Sequence, residues 1–257
     1  MGNSLAGAVG AQAHPQLLAQ YGGAYRGPQA AYVAQVGRRV DPVEGLAQAI
    51  VAGADMLDPD LDALLAALGL RDLAATGHPL ITLGHDWGGV VSLGWAARHP
   101  ELVAGVATLN TAVHQPEGAP IPAPLQAALA GPVLPASTVT TDAFLSVTTS
   151  LATPALDRET RAAYHLPYDT AARRGGVGGF VADIPADPGH GSHPELQRVG
   201  EDLAALGRTD VPALILWGAD DPVFLDRYLD DLRDRLPHAR VHRYEEAGHL
   251  LVDEFQD

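Results

Sequence analysis

The sequence predicts an α/β fold: a mostly parallel sheet flanked by helices, with a helical cap inserted between its strands and its N-terminal strands incomplete. Three observations predict it. Short apolar runs that suit buried strands alternate with helical stretches from residue 58 onward. A glycine-flanked turn leads from the first of those strands straight into a helix. A long Pro-rich stretch of helices and loops then separates the second strand from the third.

The elements follow in order. Asp58 can cap a helix whose first turn tolerates Pro59, and Leu61, Leu64, Leu65 and Leu68 recur at the spacing of one helical face that ends near Gly69. Pro79-Leu80-Ile81-Thr82-Leu83 predicts the first strand, and residues 90–98 a helix stopped by Pro100. A second strand is predicted over 103–109, a third over 212–217, a helix over 225–236 and a last strand over 240–244. Residues 1–57 carry no readable strand alternation or repeat. The expected organisation is thus an N-terminal segment (1–57), a core built from 58–114 and 209–257, and a cap insertion over 115–208.

Composition bounds the function. A chain of 257 residues that is 47% hydrophobic suits one α/β domain with a sizeable core. A formal net charge of −15 argues against nucleic acid, whose phosphates call for clustered Lys and Arg. With no cysteine, disulfides, Cys-ligated zinc and a thiol nucleophile are excluded. No signal-peptide pattern follows Met1 and no apolar run reaches the length of a membrane span, so a cytoplasmic protein is expected. The histidines have no metal-ligand spacing; His190 and His193 lie in a Gly-rich loop and receive no role. No metal or organic cofactor is expected.

Gly84-His85-Asp86-Trp87-Gly88 carries the strongest chemistry. A strand-to-helix turn of this form holds its central side chain in a strained conformation, exposed above the sheet at a helix N-terminus. Serine often occupies that place; here it is Asp86. A carboxylate is already ionised at neutral pH and can attack a saturated carbon to give an ester. The bland alternative is that Asp86 only caps the following helix. Asp221 lies just past the third strand and His249 just past the last, so nucleophile, acid and histidine come in the chain order such a sheet needs. Asp221 would orient the imidazole, and His249 would activate water or move a proton. Asp220 competes for the acid role; Asp221 is preferred because it directly precedes Pro222, where the loop turns back toward the sheet. The Trp87 indole N–H suits a leaving anion, unless the ring only packs. Asn110 is a weaker polar candidate.

Gly84-His85-Asp86-Trp87-Gly88-Gly89, Trp217-Gly218 with Asp221-Pro222-Val223-Phe224, and Gly248-His249-Leu250 together resemble the haloalkane dehalogenase and epoxide hydrolase branch of the α/β-hydrolases, from about residue 58 onward. In one dehalogenase subgroup the acid follows the earlier strand; Asn110-Thr111 stands there, which favours Asp221. Ala163-Tyr164-His165-Leu166-Pro167-Tyr168, Arg173-Arg174, the run from Gly179 to Pro185, and Arg235-Leu236-Pro237-His238-Ala239 look like the β-lactone decarboxylases of bacterial long-chain olefin biosynthesis. The resemblance implies a small hydrophobic substrate, opened by Asp86 at the oxygen-bearing carbon of a cis-β-lactone and released as a cis-alkene and carbon dioxide, with Trp87 holding the developing carboxylate. In the dehalogenase or epoxide hydrolase alternative, His249 activates water against an alkyl ester. The resemblance also implies a β-lactone synthetase as a fused or complexed partner, as in some actinobacteria.

One departure stands out. The family supplies a second oxyanion donor from a His-Gly-type loop upstream, and residues 1–60 hold no His-Gly pair; His14-Pro15 and Gly22-Gly23 are poor substitutes. A fragment, or a gene whose start is misplaced or replaced, is expected, for which the loss of one such donor costs about a hundred- to a thousand-fold in rate. An inactive remnant that serves only as an interaction domain is the alternative of another class.

Overall fold

The computed structural model describes residues 61–251, apart from 64, 67, 116–120, 187 and 188. The readings made on residues 1–57, including Asp58 and Pro59 nearby, lie outside the described residues. Four strands form one sheet: β1 (Leu80–His85), β2 (Val103–Leu109), β3 (Ala213–Gly218) and β4 (Arg240–Tyr244). All neighbours are parallel and their order is β1-β2-β3-β4, the order of the sequence. Parallel neighbours need a crossover, and helices supply each one. Gly84 pairs with Thr108, Leu109 with Leu216 and Gly218 with Tyr244, so every strand delivers its carboxyl end to the same edge.

Helix α1 (Leu70–Ala75) precedes β1, and α2 (Trp87–Arg98) joins β1 to β2. Between β2 and β3 come α3 (Ala123–Ala128), α4 (Ala143–Ser150), α5 (Arg158–His165), α6 (Ala171–Ala182) and α7 (His193–Leu206). Helix α8 (Asp226–Arg235) joins β3 to β4. The α8 pattern is plainly amphipathic: Tyr228, Leu229 and Leu232 are buried, Asp226 opens its first turn, and Arg233 and Arg235 close its last, in the sense the helix dipole favours.

The core sits where α2 lies on the sheet. Leu93, Trp95 and Ala96 of α2 meet Val106, Ile215 and Trp217, together with Leu203 and Leu206 of α7 and Leu229 and Leu232 of α8. Burying each such leucine contributes about 1.5–3 kcal/mol. Helix α7 falls inside the stretch read from sequence as cap, yet it packs along α2. Arg98 strengthens that seam by donating to Asp202 through Nε at 2.8 Å and to Glu195 through Nη2 at 2.8 Å. Within the remaining helices, the buried Arg174 donates to three main-chain carbonyls, of Val139, Tyr168 and Thr140, and so ties α6 to the turns before it.

Among the described residues nothing pairs with the other edge of β1, and Ile81 and Leu83 are 74% and 64% exposed. Among the same residues, no helix is long and apolar enough to cross a membrane.

Candidate active site

The turn from β1 into α2 sets Asp86 at φ 52°, ψ −127°, the one non-glycine residue with positive φ among those described. Such a conformation costs about 1–3 kcal/mol and persists only where its surroundings enforce it. Main-chain and side-chain hydrogen bonds hold it here. The Asp86 amide donates to the Asn110 carbonyl at 3.1 Å, Thr111 Oγ1 donates to the Asp86 carbonyl at 2.6 Å, and the Gly89 amide donates to that carbonyl at 2.9 Å. Gly84 is needed for close approach, because a Cβ there would lie 2.3 Å from the Gly88 carbonyl oxygen and 2.3 Å from Ser92 Oγ. The Asp86 carboxylate accepts no capping bond from α2. It stands free of the helix instead, with its side chain 44% exposed.

Asp221 and His249 arrive from the ends of β3 and β4. The Asp221 carboxylate is buried and fully partnered. One oxygen accepts from the amides of Val223 at 2.7 Å and Phe224 at 3.1 Å, and the other from Asn110 Nδ2 at 2.8 Å and His249 Nδ1 at 2.9 Å. Burial pushes this carboxyl upward, but the His249 bond and charge and the two amides outweigh it, so it lies below the ordinary carboxylate range. Asp220 is exposed and its amide donates to the Ala247 carbonyl; it is Asp221 that meets the imidazole. On the other side, His249 Nε2 lies 3.7 Å from Asp86 Oδ2. Burial would lower the imidazole, yet its bonds to Asp221 and Asp86 and their charges push it up to about 10. The imidazole is thus set between two carboxylates, which favour its cationic form.

Gly218 lets the β3 end approach the histidine loop, since a Cβ there would sit 2.4 Å from the Gly248 carbonyl oxygen. Asn110, the weaker candidate from sequence, is wholly buried and exchanges two bonds with the Gly218 backbone besides holding Asp221. The sequence motif gives His85 no role of its own. Its Nε2 lies 2.7 Å from the His249 carbonyl, and their ring centroids are 4.7 Å apart. The only sequence signal for it is its place as the last strand residue beside Asp86.

Above these groups opens a cavity of about 460 Å³. Its polar floor is His85, Asp86 and Trp87, and its walls are largely apolar, with Ile121, Leu125, Phe144, Phe180, Leu196 and Phe224 among them. The Trp87 ring lies 6.1 Å from Phe180, centroid to centroid. Among the described residues neither the Trp87 indole nor its main-chain amide has an acceptor, so both can serve a ligand oxygen or halide. Among the described residues no group of side chains has the make-up of a metal site.

The chain is similar to known proteins over most of its length. The family described as the alpha/beta hydrolase fold matches residues 53–256. The chain is 32% identical over 204 residues to the cis-3-alkyl-4-alkyloxetan-2-one decarboxylase of Shewanella oneidensis, a match that covers 77% of this chain and 61% of that protein. It is 32% identical over 197 residues to the protein of the same name from Xanthomonas campestris pv. campestris, covering 76% and 63%. Haloalkane dehalogenase 1 of Mycobacterium tuberculosis is 27% identical over 186 residues, covering 69% and 57%. The chain thus spans less than two thirds of the length of these relatives. Among solved structures, haloalkane dehalogenase DbeA from Bradyrhizobium elkani superposes with a TM-score of 0.63 at 23% identity, over 76% of this chain and 66% of that one. DatA from Agrobacterium tumefaciens gives 0.65 at 18% identity, over 77% and 68%, and at such identities the likeness is one of fold.

Proposed function

Since the chain belongs to the α/β-hydrolase fold family, we propose that it is an aspartate-nucleophile enzyme that decarboxylates cis-β-lactones to cis-alkenes. The observation that carries this reading is the carboxylate of Asp86, strained above the end of β1 at the foot of an apolar cavity and 3.7 Å from an imidazole that Asp221 orients. The two decarboxylase relatives supply the substrate class.

In this reaction an Asp86 oxygen attacks the ring carbon that bears the lactone oxygen. That C–O bond breaks and its electron pair leaves as a carboxylate, which the Trp87 amide and indole hold. The carboxylate departs as carbon dioxide, the freed pair becomes the alkene, and the bond to Asp86 breaks to restore the free enzyme. No water is consumed. His249, oriented by Asp221, holds Asp86 in place.

Haloalkane or epoxide hydrolysis is the second reading, favoured by the dehalogenase relative and by the ready position of His249. There Asp86 displaces halide or opens the epoxide, and His249 takes a proton from water attacking the ester carbonyl. That step leaves one solvent oxygen in Asp86, and decarboxylation leaves none.

The test uses His249→Gln protein with a cis-3,4-dialkyl-β-lactone and, separately, 1-bromohexane, followed by peptide masses; wild-type protein is run once in ¹⁸O-water. Alkene release from the lactone, with no label entering the Asp86 peptide, supports decarboxylation. A trapped hexyl group on Asp86, with label incorporation in the wild type, supports hydrolysis. Folded protein that yields neither alkene nor adduct sinks both and leaves the interaction-domain alternative.

A further inference from the structure

We propose that His85 is the positioning residue of the catalytic histidine: its Nε2–H donates to the main-chain carbonyl of His249 and fixes the loop that sets the imidazole between Asp86 and Asp221. This rests on the aspartate-nucleophile reading above.

The histidine comes from a loop, and loops place side chains less firmly than strands do. Before it, the loop is fixed by Ala247, whose carbonyl accepts from the Asp220 amide at 2.9 Å and whose own amide reaches the Tyr244 carbonyl only at 3.4 Å. At His249 itself the anchor is a side chain 164 positions earlier in the chain, His85, at 2.7 Å. His85 is the last residue of β1 and directly precedes Asp86, so it shares the rigidity of the strand that carries the nucleophile. One strand end thereby fixes both partners, Asp86 through its own backbone and His249 through the carbonyl bond. The rings also pack, at 4.7 Å and 47°, with Phe224 at 5.6 Å from the His249 ring.

The proton inventory is consistent. A carbonyl can only accept, so the proton of neutral His85 resides on Nε2. Burial and the neighbouring His249 charge both lower its pKa, so His85 stays neutral beside an imidazolium and does not compete for that proton. Its part is geometric. A displacement of about 1 Å in a catalytic group costs on the order of a hundredfold in rate.

Two variants separate the donor from the ring. His85→Phe keeps an aromatic of similar breadth and removes the N–H; His85→Gln loses the ring and keeps a side-chain N–H that can reach the carbonyl. The probe is 1-bromohexane, with alkylation of Asp86 and loss of the hexyl ester timed separately by peptide mass. In parallel, the His249 imidazole is titrated by NMR, its signal assigned by its absence from His249→Gln. The Phe variant should alkylate within about threefold of wild type yet lose the ester about 10- to 100-fold more slowly, with kcat and KM falling together. Its His249 should titrate below the wild-type value, because the imidazole sits less firmly between its carboxylates. The Gln variant should recover both. A Phe variant with wild-type ester loss and an unmoved titration overturns the proposal, as does a Gln variant that recovers neither. If no protein in the series forms an adduct on Asp86 and none releases alkene from a cis-3,4-dialkyl-β-lactone, the nucleophile reading fails, while the titration still decides whether His85 holds the imidazole.

Discussion

At the scale of single residues, the site is a charge balance. Two carboxylates face His249 and favour its cation, and esterification of Asp86 would neutralise one of them. The imidazole pKa must then fall from about 10, which frees His249 to accept a proton only after the ester exists. In single-turnover experiments, ester hydrolysis should therefore rise with pH along a limb well below 10, and a limb at the resting value would contradict this coupling. The same shift bears on stability. A histidine raised in the folded state stabilises it fully below its ordinary value of 6.5, and that contribution fades as pH climbs toward about 10. The difference in Tm between wild type and His249→Gln should accordingly narrow from pH 6 to pH 10. Asp86→Asn should remove turnover by about ten-thousand-fold, and Asp221→Asn by on the order of 10³–10⁴, with Asp220→Asn near wild type by steady-state kinetics. That Asp86, Asp221 and His249 come together could be read from sequence, because each follows a strand in a required order. Asn110 and His85 could not be read in full. What they do is defined by partners 111 and 164 positions away, and no local pattern encodes such a bond.

At the scale of elements, legibility follows the turn residues that bound each run. The strands over 103–109 and 240–244 were predicted to the residue, because a parallel strand is a compact run of β-formers bounded by turn residues. Helix α2 begins three residues earlier than predicted, at Trp87, since glycines obscure its first turn. Helix α1 lies beyond the helix end that the sequence predicts near Gly69, where φ is 69°, and no element is predicted there. Helix α7 looked like the rest of the insertion, and only its partner reveals that it packs on α2. Leu203 is the sharpest test of that role: wholly buried in the main core, its replacement by Ala should cost about 2–5 kcal/mol in chemical denaturation. The turn into α2 makes a contrasting prediction. Gly84→Ala should abolish activity and lower Tm, because the added methyl would collide with the Gly88 backbone. Gly88→Ala, whose Cβ would meet nothing within 4 Å, should leave Tm unchanged.

At the scale of the molecule, the fold class was legible from the alternation of strands and helices, and the parallel sheet bears it out. Among the described residues the outer edge of β1 is unpaired and Ile81 and Leu83 are exposed, the kind of surface that recruits other strands. Ile81→Lys should reduce association measured by light scattering, with Tm little changed; unchanged association would locate its source elsewhere. The other notable seam lies in the middle of the sheet. Asn110 and Gly218, 108 positions apart, join β2 to β3 at the two roots of the long insertion. A loop closed at its roots pays entropy only as the logarithm of its length, about 0.6 kcal/mol for each doubling. The length of the insertion is thus nearly neutral for the sheet beneath it, provided that α7 keeps its place on α2. Segments between α3 and α6 can lengthen, shorten or be exchanged while Asp86, Asp221 and His249 keep their distances. In this architecture the roof over the cavity is free to vary and the hearth is not.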